Sequence, residues 1–194
     1  MMPLLLALSL AGADHLPKAL AYNRTLPAYV RLVEILGTEE VIWASRRESE
    51  RRRRETPSLV AYVDGPVVRV IRRRWPLEAV REREPKPTDF SSATWGGLAG
   101  ILRHELGHQL YYLVLSEAER ARVDLAVAPV TTYARTSKHE AFAEAVALLT
   151  HPRYRPDRFA PEARRYLDEV EAVLAGRGIL PARPLLLAED LAWR

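Results

Sequence analysis

The chain has 194 residues, 48% of them hydrophobic and 28% charged, with a net charge of +4 and a pI near 9.6. That length fits one domain with a real hydrophobic core, no apolar run is long enough to span a bilayer, and the absence of cysteine excludes disulfides and thiolate-bound zinc. The positive balance does not point to nucleic acid, because Arg46-Arg47 and Arg51 to Arg54 are interleaved with Glu48, Glu50 and Glu55, and no nucleic-acid motif accompanies them.

Residues 1–13 hold a short apolar block, Leu4 to Ala11, followed by small residues before Asp14. They suit either a signal peptide, and hence a secreted protein, or an apolar segment docked on a single domain over 14–194. Apolar positions from Tyr29 to Leu36 predict a helix over 26–36, stopped by Gly37. Val41 to Ala44 suits a short strand, and the Arg-rich 46–54 stretch a solvated connector. Leu59 to Val63 and Val67 to Ile71 flank Asp64-Gly65, a strong hairpin signal, with Pro66 expected to lengthen the turn. Pro85 and Pro87 mark a loop over 83–89. Ser91 or Ser92 can cap a helix reaching Leu115, with Leu98, Leu102, Leu106, Leu110 and Leu113 as its apolar stripe. Further helices are expected over 116–126, 137–150 and 161–175. The plan is α+β, a small sheet with a hairpin followed by helices. Trp43, Trp75, Trp95 and Trp193 suit core or interface positions, Trp75 and Trp95 being the two to compare with any cleft. Scarce Asn, Gln, Cys and Met with abundant Arg and Glu fit a heat-adapted source.

The chemistry concentrates in the helix predicted from Ser91. His104-Glu105-Leu106-Gly107-His108 reads H-E-x-x-H, and residues four apart share a helix face, so two imidazoles can grip one Zn²⁺ while Glu105 acts as general base. Gly107 is a poor helix former, and its place between the histidines is easier to explain if something packs closely there. A catalytic zinc needs a third protein ligand and an open position. Metzincins would need Gly at 111 and His at 114, but Tyr111 and Val114 stand there. Asp124 lacks supporting context, and Glu117 and Glu119 begin a polar helix. Glu140 is the best candidate, on a helix whose Phe142, Val146 and Leu149 imply burial; Glu144, one turn on, would orient a ligating histidine. His139 should face solvent, about 100° from the ligand, and His151 should simply end its helix.

The run from Tyr133 to Ala145, Y-A-R-T-S-K-H-E-A-F-A-E-A, resembles the second motif of the lethal factor-like gluzincin metallopeptidases, a group that includes the secreted Pro-Pro endopeptidases. Those proteins carry H-E-x-x-H, then a tyrosine seven residues before a ligand glutamate, then F-A-E, as Tyr133 and Glu140 stand here. The resemblance covers roughly residues 25–175. It implies a zincin-like fold with Zn²⁺ held by His104, His108 and Glu140, Glu105 as general base, Tyr133 as hydrogen-bond donor to the oxyanion, and Glu144 supporting a ligand. The function it implies is a zinc endopeptidase acting on a peptide or protein substrate through a metal-activated water, with Pro-directed cleavage as a further expectation. The competing expectation is a zinc-stapled binding or regulatory module of the same fold, although a purely structural site needs neither Glu105 nor Tyr133.

Overall fold

The computed structural model describes residues 15–56, 59–71, 78–81 and 83–181. The segment 1–13, Arg72 to Arg74, Trp75, Leu185 to Leu187 (a short apolar run) and Trp193 lie outside them. Leu16, Ala19 and Asn23 share a buried face of helix α1 (His15–Asn23), which the sequence reading did not anticipate. Helix α2 (Pro27–Leu36) has Pro27 at its first position, stops at Gly37, and buries Tyr29 and Leu32.

Strand β1 (Val41–Trp43) leads into α3 (Arg46–Glu55), so the stretch expected to be a solvated connector is a helix. Its stability is local. Ser45 Oγ accepts the Glu48 N–H at 3.2 Å, and Arg52 to Arg54 fill the last turn, where the helix dipole favours cations. The hydroxyl of Tyr62 donates to Glu48, and the Arg52 guanidinium lies 4.6 Å from the Tyr62 ring centre, which seats α3 on the hairpin.

That hairpin joins β2 (Ala61–Asp64) to β3 (Val67–Val70), with Asp64 opposite Val67. Pro66 does not lengthen the turn, because its fixed φ suits the second position of a two-residue type II′ loop. Strand β1 pairs parallel to β3, giving the order β1-β3-β2 with β2 as an edge.

The rest is helical: α4 (Ser92–Gln109), a π-helical turn (Leu110–Val114), α5 (Glu117–Leu125), a 3₁₀ turn (Tyr133–Arg135), α6 (Lys138–Leu149), a second 3₁₀ turn (Pro156–Arg158) and α7 (Pro161–Gly176). The fold is therefore α+β, mostly helical with one three-stranded sheet. Among the described residues no helix is long and apolar enough to cross a membrane.

Helix α4 is the axis of the domain and packs on α1, α2, the hairpin and, most extensively, α6. It is buried on nearly every face, not along one leucine stripe. Trp95 belongs to its core side, fully buried and edge-on to His151 at 5.0 Å, so it is no part of a cleft. Arg103, also fully buried, points away from the histidines: it donates to Asn23 Oδ1 at 2.7 Å, and burial lowers its pKa only to about 10, leaving it charged. The helix breaks at Gly97 (φ 61°), where a Cβ would meet the Glu78 carbonyl oxygen at 2.6 Å. Beyond the break the helix restarts with Leu98 and Ala99 donating to the Glu78 and Ala79 carbonyls, both at 3.0 Å.

Candidate metal centre

Two helices bring the site together. Histidines 104 and 108 lie one turn apart on α4, and Glu140 lies in the first turn of α6, where Ser137 Oγ caps the helix by accepting the Glu140 N–H at 3.1 Å. The close approach that Gly107 suggested is present. A Cβ there would stand 2.9 Å from Ala143 Cα and 3.2 Å from Val146 Cβ, so the two helices touch backbone to backbone between the histidines.

Across that contact three donor atoms converge. His104 Nε2 is 3.0 Å and His108 Nε2 3.2 Å from Glu140 Oε2, and the two nitrogens are 3.1 Å apart. A tetrahedral ion with ligands at ~2.0–2.1 Å separates its ligand atoms by about 3.3 Å. The near-equilateral triangle here matches one face of that tetrahedron, and His104, His108 and Glu140 are the described residues that could hold a metal ion. Two imidazoles and one carboxylate are a donor set that divalent transition metals accept.

The supporting residues are in place around the triangle. Glu144, fully buried, accepts the Ser92 N–H with both oxygens at 3.1 and 2.9 Å, and its Oε1 lies 2.9 Å from His104 Nδ1, off the ideal N–H axis. This carboxylate stands behind the His104 ring and pins the start of α4 to α6. Glu105 is 6% exposed, and burial lifts its pKa above the ordinary carboxylate value against the pull of His104 and His108. Tyr133 stands on the 3₁₀ turn with its ring 6.0 Å from that of His104, and burial with the charges of Glu140, Glu105 and Glu144 raises its pKa to about 12. Without a metal, burial opposes charge on His104, but Glu140 and Glu144 outweigh it and raise its pKa to about 10. Burial likewise opposes charge on Glu140, and the hydrogen bonds from His104 and His108 hold its pKa below the ordinary range.

The other acids stay away. Asp124 accepts from the Tyr111 hydroxyl at 2.9 Å and from Lys138 Nζ at 2.6 Å, while Glu119 caps α5 and pairs with Arg177. His139 is not solvent-facing as expected: it is half-buried, with Nδ1 2.8 Å from the Tyr112 hydroxyl and its ring against Tyr111. The π-helical turn is the reason. It shifts the register after Gln109, so that Tyr111 is buried against His139 and Leu113, expected in the apolar stripe, is 57% exposed, while Tyr112, four residues after His108, keeps its place over that ring with centres 6.3 Å apart. His151 ends α6 as expected, its Nδ1 accepting the Arg153 N–H at 3.1 Å.

Sequence reasoning missed three neighbours of the site: the Ser92 backbone N–H, Tyr112, and Phe90, whose ring lies 5.9 Å from that of Tyr133. Only Tyr112 left a signal, its place four residues after His108. No family model, curated protein or solved structure matches this chain.

Proposed function

We propose that this protein is a zinc-dependent endopeptidase of zincin-like fold, related to the lethal factor-like gluzincins. The observation that carries the reading is the convergence of His104, His108 and Glu140, with Glu105 buried beside them and Tyr133 against His104. Zn²⁺ held by those three residues would supply Lewis acidity, acidifying a water and polarising a peptide carbonyl. Glu105 takes a proton from the attacking water and returns it to the leaving amine. Its burial moves its pKa toward the range where a carboxylate can do both. Tyr133, protonated at any physiological pH, donates a hydrogen bond to the carbonyl oxygen as charge grows there. Glu144 keeps the His104 ring oriented, so that Nε2 faces the ligand position. The edge strand β2 packs beside α4, with Gln109 donating to the Gly65 carbonyl at 3.3 Å, and offers an extended peptide a backbone to pair with.

The test is cleavage of a diverse peptide library by the zinc-loaded protein, read by mass spectrometry, with Glu105→Gln as control. Peptides with proline at the scissile bond are the first to include, since the resemblance points there. The expected result is cleavage by the wild type and a loss of roughly 10²–10⁴-fold in the variant at unchanged zinc content. Equal activity in the two proteins would remove Glu105 from the chemistry and overturn the reading.

A further inference from the structure

Aromatic rings run through the metal centre in an unbroken series. Phe90 lies 5.9 Å from Tyr133, Tyr133 6.0 Å from His104, His104 4.7 Å from His108, and His108 6.3 Å from Tyr112, all between ring centres. The two end members are unlike the middle ones. Phe90 is 61% exposed and Tyr112 is 52% exposed.

A single exposed aromatic is ordinary on a protein surface. These two are held in place by the site itself. The strap that carries Phe90 is fixed at four points: the Asp89 carboxylate accepts from Arg83 at 2.6 Å and from the Lys86 N–H at 2.8 Å, Thr132 N–H donates to the Asp89 carbonyl at 3.0 Å, Tyr133 N–H donates to the Phe90 carbonyl at 2.7 Å, and Ser92 N–H is bound by Glu144. The same hydrogen bonds that place Tyr133 therefore present Phe90. Tyr112 lies in the π-helical turn, four residues after His108, and is tied through its hydroxyl to His139, with its ring within 19° of parallel to His108. Helical turns of this kind carry a cost in backbone geometry and occur frequently at functional sites. A ring carried on a backbone fixed in this way has less conformational freedom to lose on binding, which suits it to recognition.

We infer that Phe90 and Tyr112 are paired specificity residues that receive large apolar or aromatic side chains of a peptide, Phe90 on the His104 side of the metal and Tyr112 on the His108 side. The inference rests on the endopeptidase reading for its ligand, a peptide lying across the ion. The substrates are then peptides with bulky apolar residues on both sides of the bond nearest the metal. Peptides with acidic or small polar residues at those positions are poorer ligands, because the exposed ring faces of Phe90 and Tyr112 carry no charge to pair with theirs and gain little area from a small side chain.

The experiment separates binding from cleavage. Fluorescein-labelled hexapeptides with the centre Phe-Leu or Ser-Asp in otherwise identical Gly/Ser frames are titrated by fluorescence anisotropy against zinc-loaded protein carrying Glu105→Gln. Phe90→Ala, Tyr112→Ala and Tyr112→Phe are compared in that background, each checked for an unchanged melting temperature and zinc content. The expected result is at least about tenfold tighter binding of the Phe-Leu peptide, lost by about tenfold in each alanine variant and kept in Tyr112→Phe; tenfold corresponds to ~1.4 kcal/mol. In parallel the library digest by wild type should show bulky apolar residues flanking the cut. Tight apolar-selective binding without any cleavage would sink the peptidase reading and leave the clamp standing. Cleavage with no apolar preference, or with a preference untouched by both alanine variants, would sink the clamp and leave the peptidase. Failure of both peptides to bind would also overturn the clamp.

Discussion

Glu144 touches two parts of the site at once. One buried carboxylate accepts the Ser92 N–H through both oxygens and stands 2.9 Å from His104 Nδ1, so it serves a helix start and a ligand together. Glutamine at this position keeps the shape but presents one amide NH₂. Whichever way that amide turns, a donor faces either Ser92 N–H or the His104 Nδ1 proton. Glu144→Gln is expected to weaken metal affinity by about 10–100-fold, as loss of an outer partner of a ligating histidine does, and to cost about 1–3 kcal/mol of stability from the mismatched buried groups. Competition with a chromogenic chelator measures the first and chemical denaturation the second; an unchanged affinity would show that His104 needs no support from behind. Much at this scale was legible in the sequence, because i and i+4 spacing alone places His104 with His108 and Glu140 with Glu144. Ser92 was not legible as a partner, because the group involved is a backbone N–H that every residue type carries.

Between α4 and α6 the decisive element is the absence of a side chain. Gly107 lets Ala143 Cα come to where a Cβ would stand at 2.9 Å, and neither backbone has a side chain's freedom to move aside. Gly107→Ala would gain up to ~1 kcal/mol of intrinsic helix propensity. Overpacking of a close contact typically costs about 1–3 kcal/mol, so the net effect is a loss. The histidines sit on one helix and Glu140 on the other, so the separation should also weaken metal binding. Gly176→Ala is the uncrowded control: nothing lies within 4 Å of its Cβ, so at the last residue of α7 it should cost nothing and keep part of the propensity gain. A Gly107→Ala protein that melts no lower and binds metal as tightly as wild type would refute the contact as a constraint. The sequence signalled this packing through a glycine in mid-helix. It did not signal the π-helical turn, since Leu110 to Val114 continues a plausible apolar helical pattern and one extra residue per turn leaves no periodic mark. The Arg-rich α3 was misread for a related reason: its composition suits solvent, and its helicity comes from the Ser45 cap and from Tyr62 on the neighbouring strand.

For the molecule as a whole the question is whether the metal builds the fold or only uses it. The apolar core favours the second. Leu102 and Leu106 on α4 and Phe142, Val146 and Leu148 on α6 are all essentially fully buried, and Leu167, Val170 and Leu174 extend the same cluster into α7. A domain of this length with such a core does not need a metal to fold, unlike small zinc modules that are unfolded without it. An ion at 100 times its dissociation constant still adds about 2.7 kcal/mol by binding only the folded state. For a chain of this size that corresponds to roughly 5–10 °C in melting temperature. Chelation should therefore leave a folded protein with native circular dichroism that melts lower by about that interval, and zinc should restore the difference. Complete unfolding by chelator, with no peptide cleaved by the zinc form, would favour a stapled binding module over an enzyme. A folded apoprotein whose hydrolysis returns with zinc would show that α4 and α6 are prearranged by the apolar core and the Glu144 contact, with the triangle of donor atoms waiting on a scaffold that stands without the ion.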